Sequence, residues 1–187
     1  RCRLKPSLGS TAGCSFFFAS RCEMKIVPYK PRHLDEMTEL INIHATQVPP
    51  YFLLCRHQVE KILSEESAWS IHYPEQGPPG ETETLCAVEE GQLIGALQWY
   101  RPDIENPAID DACRNSANLC WVVAAADHHD AVDGLLDVFH GNAKKRACVV
   151  VDMGRCKLGV SWFGLPAVWR HIVDKLQGAG YEFNDQW

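Results

Sequence analysis

Several features are scarce or absent in this sequence of 187 residues, and each absence excludes a class of protein. No apolar run approaches the ~20 residues needed to span a bilayer, so no transmembrane helix is expected. Basic residues do not dominate, since 18 Lys and Arg face 24 Asp and Glu and give a formal net charge of -6. A surface that binds nucleic acid or an anionic membrane needs a basic face. The expected partners are therefore small molecules or proteins.

The nine cysteines form no C-x-x-C pair, the spacing typical of structural zinc sites. Their odd number also argues against a closed disulfide framework. Cys86, Cys120 and Cys148 lie within apolar strand patterns, where a thiol packs as a small hydrophobe. We therefore predict thiols in a reducing cytoplasm and no metal cofactor.

The composition, 46% hydrophobic and 22% charged, predicts one soluble globular domain with a substantial core. Residues 1–23 differ from the rest, because they hold four basic residues and no acid before Glu23. A transit peptide is one interpretation of this segment. An upstream extension that precedes a natural start at Met24 is the favoured one. We expect a leader over 1–23 and the folded domain over 24–187.

The stretch from Ser116 to Met153 is the centre of the predicted fold. An apolar strand over 119–124 is followed by a helical pattern and by a second apolar run, 148–151. Asp127 is the predicted N-cap of the helix. Its apolar stripe at helical spacing consists of Val132, Leu135, Leu136, Phe139 and Ala143. Two such strands joined by a helix predict a parallel crossover unit.

The chain before this unit predicts a strand at 25–29 and a helix that ends near residue 46. The buried face of that helix comprises Leu34, Met37, Leu40, Ile41 and Ala45, with His44 beside it. A second short helix is predicted over 58–64. Two apolar runs, 84–88 and 93–100, predict a hairpin around Gly91. The Pro- and Gly-rich span 73–82 and the span 102–116 are predicted loops.

After the unit, Pro166 is predicted to open a final helix that ends at Gly178 and Gly180. Its predicted stripe is Val168, Trp169, Ile172, Val173 and Leu176. A last strand is predicted at 181–183. The fold class is thus α/β (α+β), with a mixed, mostly antiparallel twisted sheet, a central β-α-β unit and flanking helices.

This order of elements resembles the GCN5-related N-acetyltransferase (GNAT) superfamily over residues 24–187. The hairpin from Leu85 to Leu97, with Glu90-Gly91 at its turn, is similar to the second and third strands of that family. The run 119–124 is similar to its fourth strand, and Ala179-Gly180-Tyr181 to the helix-to-strand ending of its last helix. Members usually close with two further strands. The chain stops shortly after Tyr181, so we expect truncated C-terminal strands and an unpaired edge.

The resemblance implies transfer of an acetyl group from acetyl-CoA to an amine of a small molecule or peptide. In that family the fourth and fifth strands splay apart, and the pantetheine arm binds the exposed backbone of the fourth. Here those backbone positions are Val122, Val123 and Ala124. The pyrophosphate is expected at the following helix start, whose residues are His128, His129, Asp130 and Ala131.

The sequence departs from the family's pattern where the chemistry lies. The pyrophosphate loop lacks glycine, so its acetyl-CoA motif is degenerate, and the position of the family's thiolate-protonating tyrosine holds Leu176. No catalytic residue is identified from the sequence. The predicted substrate-side groups are His44, Tyr51 and Tyr100. For His44 a satisfied, partly buried histidine is the alternative interpretation.

Two other hypotheses remain beside an active N-acetyltransferase. One is a catalytically degenerate GNAT-like domain with a structural, regulatory or binding role, including half of a tandem chain. The other is an unrelated α/β binding domain with a metal cluster at Asp127, His128, His129 and Asp130. Adjacent histidines at a helix start point in different directions, which favours a plain helix start over a metal site. A homodimer and a tandem partner domain are both left open.

Overall fold

The computed structural model describes residues 23–49, 53–64, 79–107, 109, 114–128, 130–148, 150–152 and 165–182, with the backbone alone at 79 and 150–152. The helices are α1 (Leu34–Ala45), α2 (Arg56–Leu63), α3 (Asp130–Lys145) and α4 (Arg170–Gly178), and a 3₁₀ turn, Pro31–His33, precedes α1. The strands are β1 (Lys25–Pro28), β2 (Pro79–Glu89), β3 (Gln92–Pro102), β4 (Ser116–Ala124) and β5 (Val150–Asp152). No described helix is both long and apolar enough to cross a membrane.

The five strands form one sheet in sequence order, β1 to β5. Neighbours from β1 to β4 are antiparallel, and β5 runs parallel to β4. Gln98 pairs with Trp121 but Trp99 pairs with Leu119, so Cys120 is an extra residue that bulges from β4. The fold class and the parallel crossover predicted from the sequence are confirmed.

The helices cover both faces of this sheet. Gln98 in β3 donates to Ile62 O of α2, whereas Gly95, three positions earlier, lies under Ala131 and Leu135 of α3. Because side chains alternate along a strand, α2 and α3 lie on opposite faces. The predicted stripes of α1 and α3 are confirmed, since every predicted member is buried.

Two predicted boundaries before the crossover helix are wrong. Strand β2 begins at Pro79, inside the predicted loop 73–82, and pairs Thr82 with Tyr100. A Cβ at Gly80 would stand 2.7 Å from the Cα of Asp103. Glycine at position 80 therefore allows β2 to lie close to the backbone of Asp103. Helix α3 begins at Asp130, and Asp127 is therefore not its N-cap. Turn hydrogen bonds from His128 N to Ala125 O and from Ala131 N to His128 O delay the helix start.

The predicted end of the chain is also partly wrong. Pro166 does not open the final helix, because a turn closed by Trp169 N and Pro166 O comes first and α4 begins at Arg170. Val168 consequently lies 53% exposed and does not join an apolar stripe. Tyr181 and Glu182 are not in a strand, and position 183 lies outside the described residues. The predicted helix end at Gly178 is confirmed.

Candidate functional site at the end of strand β4

The two edges of β4 differ in their partners. Ala125 N donates to Ile94 O of β3 at 2.8 Å. Because peptide groups of an antiparallel strand alternate between its two edges, Val123 faces β3, whereas Val122 and Ala124 face the opposite edge. The described pairing of that opposite edge with β5 ends at Asn118. Of the three residues predicted to bind pantetheine, Val122 and Ala124 therefore direct their backbone N–H and C=O groups toward the β5 side of β4, past the last described pair. Val123 directs its backbone groups toward β3.

Two histidines from distant parts of the chain meet at this end of β4. His171 in α4 has its Nε2 2.9 Å from Ala124 O, and its ring centroid lies 5.6 Å from that of His44 in α1. Trp169 packs edge-on against His44 at 5.0 Å and donates from Nε1 to His44 O at 3.2 Å. The N-terminal end of α4 and the C-terminal end of α1 therefore close around one backbone carbonyl, that of Ala124.

His44 is the most deeply buried group of this cluster that can titrate, with 1% of its surface exposed. Burial lowers its pKa, because the charged ring would lose hydration, and a like charge on His171 lowers it further. Hydrogen bonding to the carbonyls of Leu40 and Ala124 raises the pKa of His44, but by less than burial lowers it. His44 is therefore a neutral imidazole in the folded protein at neutral pH.

The start of α3 carries more negative than positive side chains. His128 Nδ1 lies 3.0 Å from Glu89 Oε2 at the end of β2, and its Nε2 lies 3.8 Å from Asp127 Oδ1. Asp130 is exposed in the first turn, where Asp133 pairs with Lys175 of α4. Ala131 is fully buried against the sheet, and its N–H already donates to His128 O.

This arrangement makes the helix start a poor anion site compared with a glycine-rich one. A helix N-terminus attracts phosphate through unsatisfied N–H groups and the helix dipole. Here one of those N–H groups, that of Ala131, is engaged, and the His128 ring contacts a carboxylate. A bound pyrophosphate would therefore compete with Glu89 for contact with the His128 ring.

The remaining predicted site residues are not gathered with this cluster. Tyr100 pairs with Asn118, roughly 20 Å along β4 from Ala124 by strand rise, and is 6% exposed. Leu176 is fully buried, so the core occupies the position of the family's tyrosine. Tyr51 and His129 lie outside the described residues.

The sequence reasoning missed His171 and Glu89. The partner of His171 is a backbone carbonyl 47 positions away, and no short-range pattern marks such a contact. Glu89 lies in the ordinary polar turn of a hairpin, so its contact with His128 had no sequence signal either. The apolar residues Ile172 and Leu176 were the one sequence signal relevant to His171, because they indicate which side of α4 packs on the sheet.

No three His, Cys, Asp or Glu side chains within the described part of the chain are grouped to hold a metal ion. Of the hypothesised metal cluster, Asp127 and His128 are near each other, and His128 contacts Glu89 more closely. The four cysteines that the structure describes, Cys55, Cys86, Cys120 and Cys148, all carry thiols.

No protein-family model matches this sequence, and no curated protein is significantly similar to it. Solved structures are similar in fold. Ribosomal-protein-alanine N-acetyltransferase from Brucella melitensis biovar Abortus 2308 has a TM-score of 0.58 at 15% identity, over 88% of this chain and 96% of that one. An acetyltransferase of the GNAT family from Staphylococcus aureus Mu50 has a TM-score of 0.57 at 13% identity, over 84% of each chain.

A third similar structure is an aminoglycoside acetyltransferase from an uncultured soil metagenomic sample, in complex with sisomicin. Its TM-score is 0.53 at 10% identity, over 88% of this chain and 91% of that one. At these identities the likeness concerns the fold and not the activity. Together with the order of the five strands, it shows that this chain has the fold of the GCN5-related N-acetyltransferases.

Proposed function

We propose that this chain is an N-acetyltransferase that moves an acetyl group from acetyl-CoA to an amine of a small molecule or peptide in the cytoplasm. The observation that carries the proposal is the edge of β4. Val122 and Ala124 turn their peptide groups away from β3, beyond the last described pair with β5 and beside the start of α3. Such backbone groups can bind the amide-rich pantetheine arm of acetyl-CoA without charged side chains.

The chemistry requires that a neutral amine attacks the thioester carbonyl. The protein must then accept the amine proton and stabilise the charge that develops on the carbonyl oxygen. His44 and His171 bring two imidazoles to the end of β4, beside the start of α3 and thus near the expected pyrophosphate rather than near the thioester.

Calorimetric titration with acetyl-CoA tests the proposal, followed by detection of released thiol after addition of an amine. Sisomicin and an alanine peptide with a free amine are suitable amines, because one similar structure is a complex with sisomicin and another is a ribosomal-protein-alanine N-acetyltransferase. Acetyl-pantetheine, which lacks the phosphates, is the matched ligand that isolates binding at β4 from binding at the helix start. Binding followed by thiol release supports the proposal, and the absence of binding by both ligands contradicts it.

A binding or regulatory domain is the second candidate function. Two observations favour it: His171 already contacts Ala124 O, and Glu89 already contacts His128. Both contacts fill positions at which an acetyl-CoA ligand is expected. Acetyl-CoA that binds without any thiol release would support this second candidate.

A further inference from the structure

One of the backbone groups at the open edge of β4 is already covered by a side chain. Ala124 O points away from β3, and His171 Nε2 of α4 lies 2.9 Å from it. A carbonyl oxygen only accepts hydrogen bonds, so Nε2 carries a proton and donates it. The imidazole ring therefore lies on the open side of β4, next to the last residue of the strand.

This contact satisfies a carbonyl that would otherwise be unpaired in the ligand-free protein. Ala124 is fully buried, and it lies beyond the last described pair of β4 with β5. A buried carbonyl without a hydrogen-bond donor is unfavourable, so the bond from His171 stabilises the protein that holds no ligand. The bond gives no such stabilisation to a complex in which pantetheine donates to the same carbonyl.

The ring also fills space that a ligand on this edge needs. A carbonyl oxygen has two lone pairs and can accept a second hydrogen bond, so the bond from His171 alone does not exclude an amide donor. The volume of the imidazole does, because a pantetheine amide that approaches Ala124 O along the strand edge needs the space beside that oxygen. Pantetheine therefore reaches this carbonyl only after the ring has moved.

Packing determines which part of α4 has to move. Trp169 is fully buried, its ring stands edge-on to His44 at 5.0 Å, and its Nε1 donates to His44 O at 3.2 Å. These contacts anchor the residue before α4 to the end of α1. His171 is only half-buried, so its side chain can rotate to another χ1 rotamer while the helix stays in place.

We propose that His171 is an autoinhibitory plug of the acetyl-CoA site, which covers Ala124 O in the ligand-free protein and rotates away when the pantetheine arm binds. This inference rests on the acetyltransferase function proposed above, and it concerns ligand binding and not the chemical step. The ligand exchanges one donor to Ala124 O for another, so it gains less free energy than it would at an open edge. Acetyl-CoA therefore binds more weakly than the backbone of β4 alone would allow.

The test compares His171→Ala with His57→Ala, which makes the same change at an exposed histidine of α2. A third variant, His171→Phe, keeps an aromatic ring but cannot donate to Ala124 O. Calorimetry measures the affinity of each protein for acetyl-CoA and for acetyl-pantetheine, and stopped-flow mixing measures the association rates. The ¹⁵N shifts of the histidine rings report whether the bond from His171 to Ala124 O breaks when a ligand binds. Thermal melting checks that each variant is folded.

For His171→Ala we expect affinities about threefold to tenfold higher than those of the wild type for both ligands, together with faster association. Acetyl-pantetheine should gain as acetyl-CoA does, because the plug covers a backbone group of β4 and not a phosphate site. His171→Phe should gain less, since its ring still fills the edge but no longer bonds to it. His57→Ala should match the wild type. In the wild type, the ¹⁵N shifts of His171 should change on saturation with acetyl-pantetheine.

A folded His171→Ala variant that binds both ligands as the wild type does, or more weakly, overturns this inference and leaves the proposed acetyltransferase intact. If neither the wild type nor His171→Ala binds either ligand, the inference and the proposed function both fail. If His171→Ala does not fold, the wild-type ring decides the question, and ¹⁵N shifts of His171 that stay constant on saturation with acetyl-pantetheine overturn the inference.

Discussion

Glu89 at the end of β2 contacts His128 at the start of α3, with 3.0 Å between Glu89 Oε2 and His128 Nδ1. Both side chains are about two-thirds buried, so the contact is only partly screened by solvent. It ties the β2–β3 hairpin to the loop after β4. It also holds the His128 ring at the helix start against a carboxylate, so a bound pyrophosphate would compete with Glu89 for contact with this ring.

Glu89→Gln should therefore raise the affinity for acetyl-CoA. The substitution removes one negative charge beside the helix start and leaves the His128 ring able to contact phosphate, so we expect a gain of about threefold to tenfold at low salt. Calorimetry measures this gain. Glu90→Gln makes the same charge change one residue along, at the exposed hairpin turn, and should give a smaller effect. Acetyl-pantetheine should bind equally to both variants, and an equal gain for acetyl-CoA and acetyl-pantetheine would contradict the explanation.

Two glycines give opposite predictions for stability. A Cβ at Gly95 in β3 would meet Ala131 Cβ and Leu135 Cδ1 at 3.3 Å, so Gly95→Val should push α3 from the sheet and destabilise the protein by about 1–3 kcal/mol. A Cβ at Gly141 within α3 would meet nothing within 4 Å. Gly141→Ala should stabilise the protein by about 0.5–1 kcal/mol through helix propensity. Urea unfolding measures both, and equal signs for the two changes would contradict the packing argument.

The histidine His44 should make the stability depend on pH. Burial lowers its folded-state pKa below the ordinary value of 6.5, so the unfolded chain takes up a proton at a higher pH than the folded one. The stability is therefore complete above pH 6.5 and falls as the pH drops below it toward the folded-state pKa. Thermal melting between pH 5 and 8 measures this fall.

His44→Phe should reduce that fall, because phenylalanine cannot titrate and can keep the edge-on contact with Trp169. At pH 7.5 we expect equal or higher stability, since the variant lacks the unpartnered Nε2. His33 and His140 also have lowered pKa values through burial, so part of the pH dependence should remain. His57→Gln, at an exposed position, should leave the whole profile unchanged.

Local periodicity predicted the elements that carry the fold, because burial of one face dictates the pattern. The stripe of α3 and the apolar run of β4 are examples, and their order alone predicted the parallel crossover. Capping signals were less informative. Asp127 matches an N-cap by residue type, which predicts a first helical residue at 128, but the turn from Ala125 to His128 delays that start to Asp130.

The candidate site was less predictable than the fold, since its contacts join distant positions. His44 was identified from its place on the α1 face, yet its neighbours Trp169 and His171 come from α4, more than 120 positions later. A half-buried histidine in a short amphipathic helix gives no local signal. Val123 illustrates a second limit, because the edge that a peptide group faces depends on the register with β3 rather than on residue type.

Asp130→Arg should strengthen acetyl-CoA binding more than any other single change at the start of α3. Asp130 is exposed in the first helical turn, where a carboxylate repels pyrophosphate and a guanidinium can bind it with two hydrogen bonds. We expect a gain on the order of tenfold at low salt and a smaller one for Asp130→Gly. Asp137→Arg, seven residues and about 10 Å further along α3, is the matched control and should change little. Calorimetry that shows tight binding of acetyl-CoA to the unaltered chain, with no gain from Asp130→Arg, would refute this account of the helix start.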